Sequence, residues 1–417
     1  MSDARWFFAS SLATAVLDVV RAVLTANLLG PYLAGLCATM LVIPQVGRYL
    51  GLGLAEALTV VVPYHRGAGN PGHARTLKST VFTLGVSISV FAFATVVVYA
   101  IVFSRASAQV NGLVLLAGSL IVLWGLRQFF ATEYAVEHDF GRLGAVELGF
   151  AGLACVLQVA GVYLLGAYGF FLGLMGAELL TIAWSGRDYL RGNVVRVHDV
   201  DVAAGARIVP LGVTLLVSAV AYAPFVMTAR VFLAASVGVE EVGVLIVSTL
   251  ILGKIAVIPT AVRRVLVPRM SLLHGAGQGA EDGFALFLRS QLSAFAATTA
   301  VILAGLVFLA PAVTALLPAY TSGIPAARVT LLAGIPYSLI DNAGSALLAL
   351  QEKRAYVESL VAALALEGVI FGGMLWADTT SAFHVAFAFL VTFAGYAALL
   401  NYRVLRLHRP GARPVRA

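Results

Sequence analysis

Twelve apolar runs of about twenty residues each dominate this chain and leave it few ways to fold. They fall at approximately 6–28, 36–62, 80–103, 113–135, 144–166, 168–186, 208–234, 243–266, 290–316, 326–350, 355–376 and 381–402. A helix rises 1.5 Å per residue, so each run can cross a hydrocarbon core of ~30 Å, with 168–186 near the short limit. The runs are apolar on all sides. A membrane-spanning barrel needs strands of roughly 9–11 residues with alternating polarity, which these are not. The expected fold class is therefore an all-α integral membrane protein with about twelve transmembrane helices.

Composition supports this from the surface inward. Hydrophobic types make up 60% of the 417 residues, charged types 11%, and the mean hydropathy is +0.95. A soluble domain carries about 25% charged residues, so this chain must show most of its outside to lipid. The 41 glycines and 14 prolines would argue against long helices in water. They cost less in a membrane bundle, where small residues let helices approach and neighbours satisfy freed backbone groups. The N-terminal stretch lacks a clear cleavage site, holds Asp18 and Arg21 in its apolar part and reads as a retained first helix. Cys37 and Cys155 lie in apolar runs and form neither a disulfide framework nor a zinc spacing.

Basic residues set the orientation. With the N-terminus inside, one set of loops collects Arg66, Arg75, Lys78, Arg142, Arg187, Arg191, Arg263, Arg264, Lys353 and Arg354, besides the tail arginines from Arg403 onward. The other set holds Arg105 and Arg328 with the acidic pair Glu240 and Glu241. This asymmetry follows the positive-inside rule, so both termini are expected to be cytoplasmic. The net charge of +7 is then a topology signal, and no nucleic-acid partner is expected.

The longest polar connection, 187–207, divides the chain almost in half. It predicts an N-terminal lobe over 1–186, a cytoplasmic inter-lobe loop over 187–207, a C-terminal lobe over 208–402 and a basic tail over 403–417. A gapless shift of 208 residues pairs Gly30 with Gly238 and Gly35 with Gly243, and sets Gly67-Ala68-Gly69 on Gly275-Ala276-Gly277. Glycines at helix-connecting loops are worth more here than Ala or Val identities. The pattern reads as a parallel duplication.

Several segments carry a family resemblance. VLTANLLGPYLAGL (23–36) resembles the end of the first helix in polysaccharide flippases of the multidrug, oligosaccharidyl-lipid and polysaccharide exporter superfamily. This chain has Ala34-Gly35 where a Tyr-Gly pair is usual. GRYLGLGLAEAL (47–58), ASVGVEEVGVLIVSTLI (235–251), VLVPRMSLLHGAGQG (265–279) and LLALQEKRAYV (347–357) are similar to later family segments. The resemblance implies two six-helix lobes around a central cavity lined by helices one, two, seven and eight, working by alternating access. It also implies a substrate: a polyprenyl-diphosphate-linked oligosaccharide, flipped from the cytoplasmic to the outer leaflet of the cell (inner) membrane for polysaccharide biosynthesis. The implied partners are that lipid-linked oligosaccharide, membrane lipids, and glycosyltransferases or a polymerase of the same pathway. No cofactor is expected.

Charges embedded in apolar runs are costly and normally face protein or a watery cavity. The cations are Arg21, Arg48, Arg127, Arg230 and Lys254; the acids include Asp18, Glu56, Glu133, Glu147, Glu178, Asp341 and Glu367. Arg21, Arg48, Arg230 and Lys254 fall on the helices that the resemblance places around the cavity, so these four are the candidate substrate-binding residues. Guanidinium forks suit phosphate oxygens, and a desolvated anion needs compensating charge. Structural pairing stands beside that reading. Asp18 can neutralise Arg21 at i, i+3, and Glu56 or Glu147 can neutralise Arg48. Arg127 and Glu133 can snorkel toward a membrane face. Asp18, Glu56, Arg127 and Asp341 are thus the candidate ion-pair or coupling residues, with Asp341 beside Asn342 read first as packing.

No nucleophile elbow, zinc-protease helix, phosphate loop or cluster of metal ligands is present in the sequence. The Gly-Leu-Gly at 51–53, inside a span, signals close helix packing. A membrane transferase would need a large outer loop, and the longest expected is about residues 317–325. The competing reading is a cation-coupled multidrug exporter of the same superfamily, in which Asp18, Glu56 and Glu178 would serve for coupling.

Overall fold

The computed structural model describes residues 2–67, 70–137, 139–191, 200–219, 223–256, 259, 280–350 and 352–407. Among them there is no β-strand, and nearly all are helical. The helices are α1 (Ser2–Met40), α2 (Val42–Leu50), α3 (Leu54–Gly67), α4 (Pro71–Val98), α5 (Ala108–Val136), α6 (Phe140–Arg191) and α7 (Val202–Ala219). There follow α8 (Ala223–Ser236), α9 (Val239–Ile255), α10 (Ala280–Leu316), α11 (Ile324–Ala349), α12 (Lys353–Trp376) and α13 (Ala382–Leu407). The architecture is a multi-span helical membrane fold with about twelve crossings.

Several helices are too long for one crossing. Straight, the 39 residues of α1 would reach about 58 Å, nearly twice a hydrocarbon core of ~30 Å. The helix breaks at Gly30 (φ 69°, ψ 170°), and Pro31 opens the second piece. The 52-residue α6 breaks at Gly166 (φ 59°, ψ −132°), a backbone that L side chains rarely adopt. Its halves, 140–165 and 167–191, fold back on each other. A Cβ at Gly169 would lie 1.7 Å from the Gly161 carbonyl oxygen, so the two backbones meet where no side chain fits. The Gln158 side-chain amide donates to the Phe170 carbonyl at 3.2 Å and ties the pair. This hairpin accounts for the two apolar runs that almost touch in the sequence.

The run at 36–62 is likewise interrupted. At the Gly51-Leu52-Gly53 turn, Leu52 and Gly53 take φ of 52° and 64°, and α2 ends as α3 begins. The turn is also a packing point: a Cβ on Gly53 would sit 1.9 Å from the carbonyl oxygen of Gly212 on α7. The run at 208–234 carries α7 and α8, and residues 220–222 between them lie outside the described residues.

The chain forms two compact units, Met1–Ala219 and Val220–Ala417. In the first, α3, α4, α5 and α7 share a core that includes Leu54, Leu58, Leu77, Val81, Phe129 and Ile208. The connection into α7 is pinned to α4, because the Asp201 amide donates to Thr80 Oγ1 at 2.9 Å and Asp201 Oδ1 accepts from Ala204 N at 3.0 Å. In the second unit, Phe225 of α8 meets Phe393 of α13 edge to face at 5.3 Å, and Phe389 stacks on Phe393 at 5.9 Å. Gln291 of α10 bridges α11 and α13 by donating to the Leu339 carbonyl (3.2 Å) and to Asn401 Oδ1 (2.9 Å). Where lipid is as apolar as leucine, such close packing and interhelical hydrogen bonds hold helices together. The segments 265–279, 192–199 and 408–417, which carry part of the resemblance, the inter-lobe loop and the tail, lie outside the described residues.

Candidate functional site

Trp124, Arg127 and Gln128 are spaced three and four apart on α5, so they share one face of that helix. Arg48 and Glu56 are eight residues apart, which is not a helical repeat. The 51–53 turn folds the end of α2 and the start of α3 together and sets Arg48 Nη2 3.3 Å from Glu56 Oε1. These five side chains, with Ser89 of α4, line a cavity of about 110 Å³ inside the first unit. Gly125 belongs to the same wall, and a Cβ there would approach Ser89 Oγ to 2.8 Å, so the glycine keeps α5 against α4.

The two arginines of the cavity are held differently. The Arg127 guanidinium donates through Nε to Glu178 Oε2 at 2.8 Å and through Nη1 to both oxygens of Glu147 at 3.3 and 3.4 Å. It also lies 4.2 Å from the centre of the Phe150 ring, a cation–π distance. Both carboxylates come from α6, so Arg127 ties α5 to each half of the hairpin. Among the described residues Arg48 has a single long contact, to Glu56, and its side chain is 36% exposed. Of the five N–H donors on a guanidinium, most at Arg48 stay open.

The remaining expected residues are dispersed. Arg21 Nη2 pairs with Asp18 Oδ1 at 3.0 Å along α1. In the second unit Arg230 and Lys254 are half-buried on α8 and α9, each engaged with other groups of the chain. Asp341 is buried on α11, where its carbonyl accepts from Ser345 Oγ at 2.6 Å, and the neighbouring Asn342 is also buried.

Two polar centres were not legible as such in the sequence. Lys78, which reads as a loop cation, is 2% exposed on α4. Its Nζ lies 2.6 Å from both Glu133 and Glu137 at the end of α5. Arg66 of α3 grips Glu137 with two bonds of 2.6 and 2.7 Å. That grip comes first among the causes that pull the Glu137 carboxyl down to about 2, with Lys78 helping against desolvation. The second centre is Glu367 on α12, buried at 1% exposure and accepting the Thr228 hydroxyl of α8 at 2.6 Å. One turn further along both helices, Phe232 and Phe371 stack at 4.2 Å with planes 5° apart. The spacing of 228 to 232 and 367 to 371 makes this a continuous seam.

Among the described residues no group of His, Cys, Asp and Glu is placed to hold a metal ion. The arrangement offers charged and amide groups to a bound molecule inside a helical unit.

No protein-family model and no curated protein matches the chain. Solved structures do. An inward-facing multidrug resistance MATE family transporter of the MOP superfamily aligns over 94% of this chain and 95% of its own, at 15% identity and a TM-score of 0.78. The lipid II flippase MurJ in an inward closed conformation aligns over 96% of this chain and 87% of its own, at 11% identity and a TM-score of 0.72. A MOP superfamily transporter from Pyrococcus furiosus, described as having a binding pocket of reversed polarity, gives 14% identity and 0.61 over 98% and 94%. The chain has the fold that these transporters share, over nearly its whole length.

Proposed function

We propose that this chain is a transporter of the MOP superfamily, and within it a flippase for a polyprenyl-diphosphate-linked oligosaccharide. The substrate would pass from the cytoplasmic to the outer leaflet of the cell (inner) membrane by alternating access, with both termini of the chain cytoplasmic. Two lobes of six helices, 1–186 and 208–402, would do the rocking. The observation that carries the reading is Arg48: a membrane-embedded guanidinium, loosely held and lining a cavity. A desolvated diphosphate needs such a partner, because a guanidinium fork matches phosphate oxygens bidentately. Arg21, Arg230 and Lys254 complete the proposed cationic set, and no covalent chemistry is required of any residue. Glycosyltransferases or a polymerase would supply and consume the carrier.

The test is a cell in which loss of the protein strands a polyprenyl-linked glycan in the cytoplasmic leaflet. Wild type should restore export, and Arg48→Ala or Lys254→Ala should not, at equal protein in the membrane. Full export by both variants sinks the assignment of the headgroup site.

A second reading is favoured by the buried carboxylates Glu178 and Glu367, which are 0% and 1% exposed. Membrane carboxylates suit a cation-coupled exporter of small cationic compounds. Efflux of such compounds that collapses with the proton gradient, with no stranded glycan, would establish it in place of the first.

A further inference from the structure

The last two helices, α12 and α13, carry all their lysines and arginines at one end. Residues 355–402 hold none, and the turn at the far end holds Asp378. At the basic end, Arg403 Nη1 of α13 donates to the Ala355 carbonyl of α12 at 2.6 Å and to Glu358 Oε2 at 3.0 Å. Arg354 Nε donates to Glu358 Oε1 at 2.7 Å along α12. Two guanidinium groups thus share one carboxylate. Lys353 and Arg406, each within one turn of this contact, are exposed and have no acidic partner among the described residues.

We propose that this end of the α12–α13 pair is a binding site for an acidic phospholipid of the surrounding bilayer. Its phosphate lies among Lys353, Arg354 and Arg406, and its acyl chains run along the exposed apolar side chains next to them. The inference stands apart from the transport reading and holds for either orientation of the chain.

Charge is the first argument. Lys353, Arg354, Arg403 and Arg406 meet only two carboxylates, Glu352 and Glu358, and the sequence beyond Leu407 adds Arg409, Arg413 and Arg416 and no acid. The Lys78 cluster of the first unit is the contrast. There Arg66 and Lys78 face Glu133 and Glu137, two against two, and no charge is left over for an anion. Lysines and arginines gathered beside a membrane helix attract acidic lipid, each by a factor of about five.

Placement is the second. Arg354, Val357, Glu358 and Val361 recur at the spacing of one helical face, as do Tyr402, Leu405 and Arg406. Val361 is 60% exposed, Tyr402 56% and Leu405 47%. On both helices the charges stand nearer the end and the apolar side chains further in. That is the order of a lipid seated at the interface, headgroup outward and chains inward. A soluble phosphate would meet only the charges; the apolar surface beside them selects the lipid.

The test uses the purified full-length protein in detergent, with binding of dioleoylphosphatidylglycerol and dioleoylphosphatidylcholine measured by native mass spectrometry. Wild type should hold the phosphatidylglycerol more tightly, by about tenfold or more. Lys353→Gln, Arg354→Gln and Arg406→Gln combined should remove that preference. Arg75→Gln, Arg187→Gln and Arg207→Gln combined, which delete as many exposed charges from the first unit, should keep it. Glu358→Gln should tighten phosphatidylglycerol binding severalfold, because it releases Arg354 and leaves Arg403 on the Ala355 carbonyl. Excess sn-glycerol 1-phosphate should not displace the lipid. Equal binding of the two lipids overturns the proposal. So does an equal loss in both triple variants, which would mark a response to net charge alone, and so does displacement by glycerol phosphate, which would mark a soluble-anion site. Should the first triple variant fail to fold, Glu358→Gln still decides, since weaker binding there contradicts a site built on these cations.

Discussion

The two units bury carboxylates by different means. In the first, the buried Glu133 and Glu178 meet Lys78 and Arg127, each from another helix. In the second, Glu367 meets a threonine hydroxyl, and Gln291 and Asn401 form an amide bridge. An ion pair inside a low-dielectric interior is strongly coupled: removing one member leaves an uncompensated charge. A carboxyl held by a hydroxyl can be replaced by an amide of the same shape with little loss. The buried carboxylates of the first unit are therefore the ones whose packing depends on charge state, and substitutions should expose the contrast in graded steps.

The largest effect belongs to Lys78. Lys78→Met strands Glu133 beside Glu137 and should cost about 3–5 kcal/mol in a thermal or denaturant unfolding assay, while Lys78→Met with Glu133→Leu should recover most of it. A single variant that unfolds like wild type would show that this pair does not hold the unit. Next comes Thr228→Val in the second unit, which leaves the Glu367 carboxyl without its hydrogen bond and should cost about 1–3 kcal/mol. Glu367→Gln should cost less than about 1 kcal/mol in the same assay, since the amide oxygen still accepts from Thr228. A loss as large as that of Lys78→Met would erase the contrast.

The smallest effect is a pH dependence. The Glu137 carboxyl sits at about 2 in the folded chain, below the ordinary glutamate value of ~4.3, because Arg66 and Lys78 favour its ionised form. Its contribution is thus fully present above about pH 4.3 and is lost as the pH falls toward 2. Side-chain exposure of 44% means that solvent screens much of it. Glu137→Gln should lower stability modestly in the neutral range and flatten the acid limb of the unfolding profile, converging on wild type as the pH falls toward 2. An unaltered acid limb would assign the acid sensitivity to other carboxylates.

Much of the fold is written in long apolar runs, and local pairings such as Asp18 with Arg21 follow from helical spacing alone. The Gly-Leu-Gly turn announces close packing, yet nothing near it names Gly212 as the backbone it meets. Lys78 was hidden because it stands just before an apolar run and its partners are 55 and 59 residues away on another helix. The cavity draws on α2, α3, α4 and α5 together, and a linear pattern carries no record of such a meeting. Residue type marked Arg48; only the fold showed how little holds it.

The glycine hairpin of α6 also bears on how this protein enters its membrane. Its corner has no polar loop: Tyr163, Leu164 and Leu165 beside Gly166 are 77%, 73% and 58% exposed. A corner so greasy gains nothing by standing in water and belongs at the depth of the lipid headgroups or below. With no hydrophilic segment to be held on the far side, neither half has an independent station there. The 52 residues are best inserted together, as a closed pair, so that the bilayer receives two crossings in a single event.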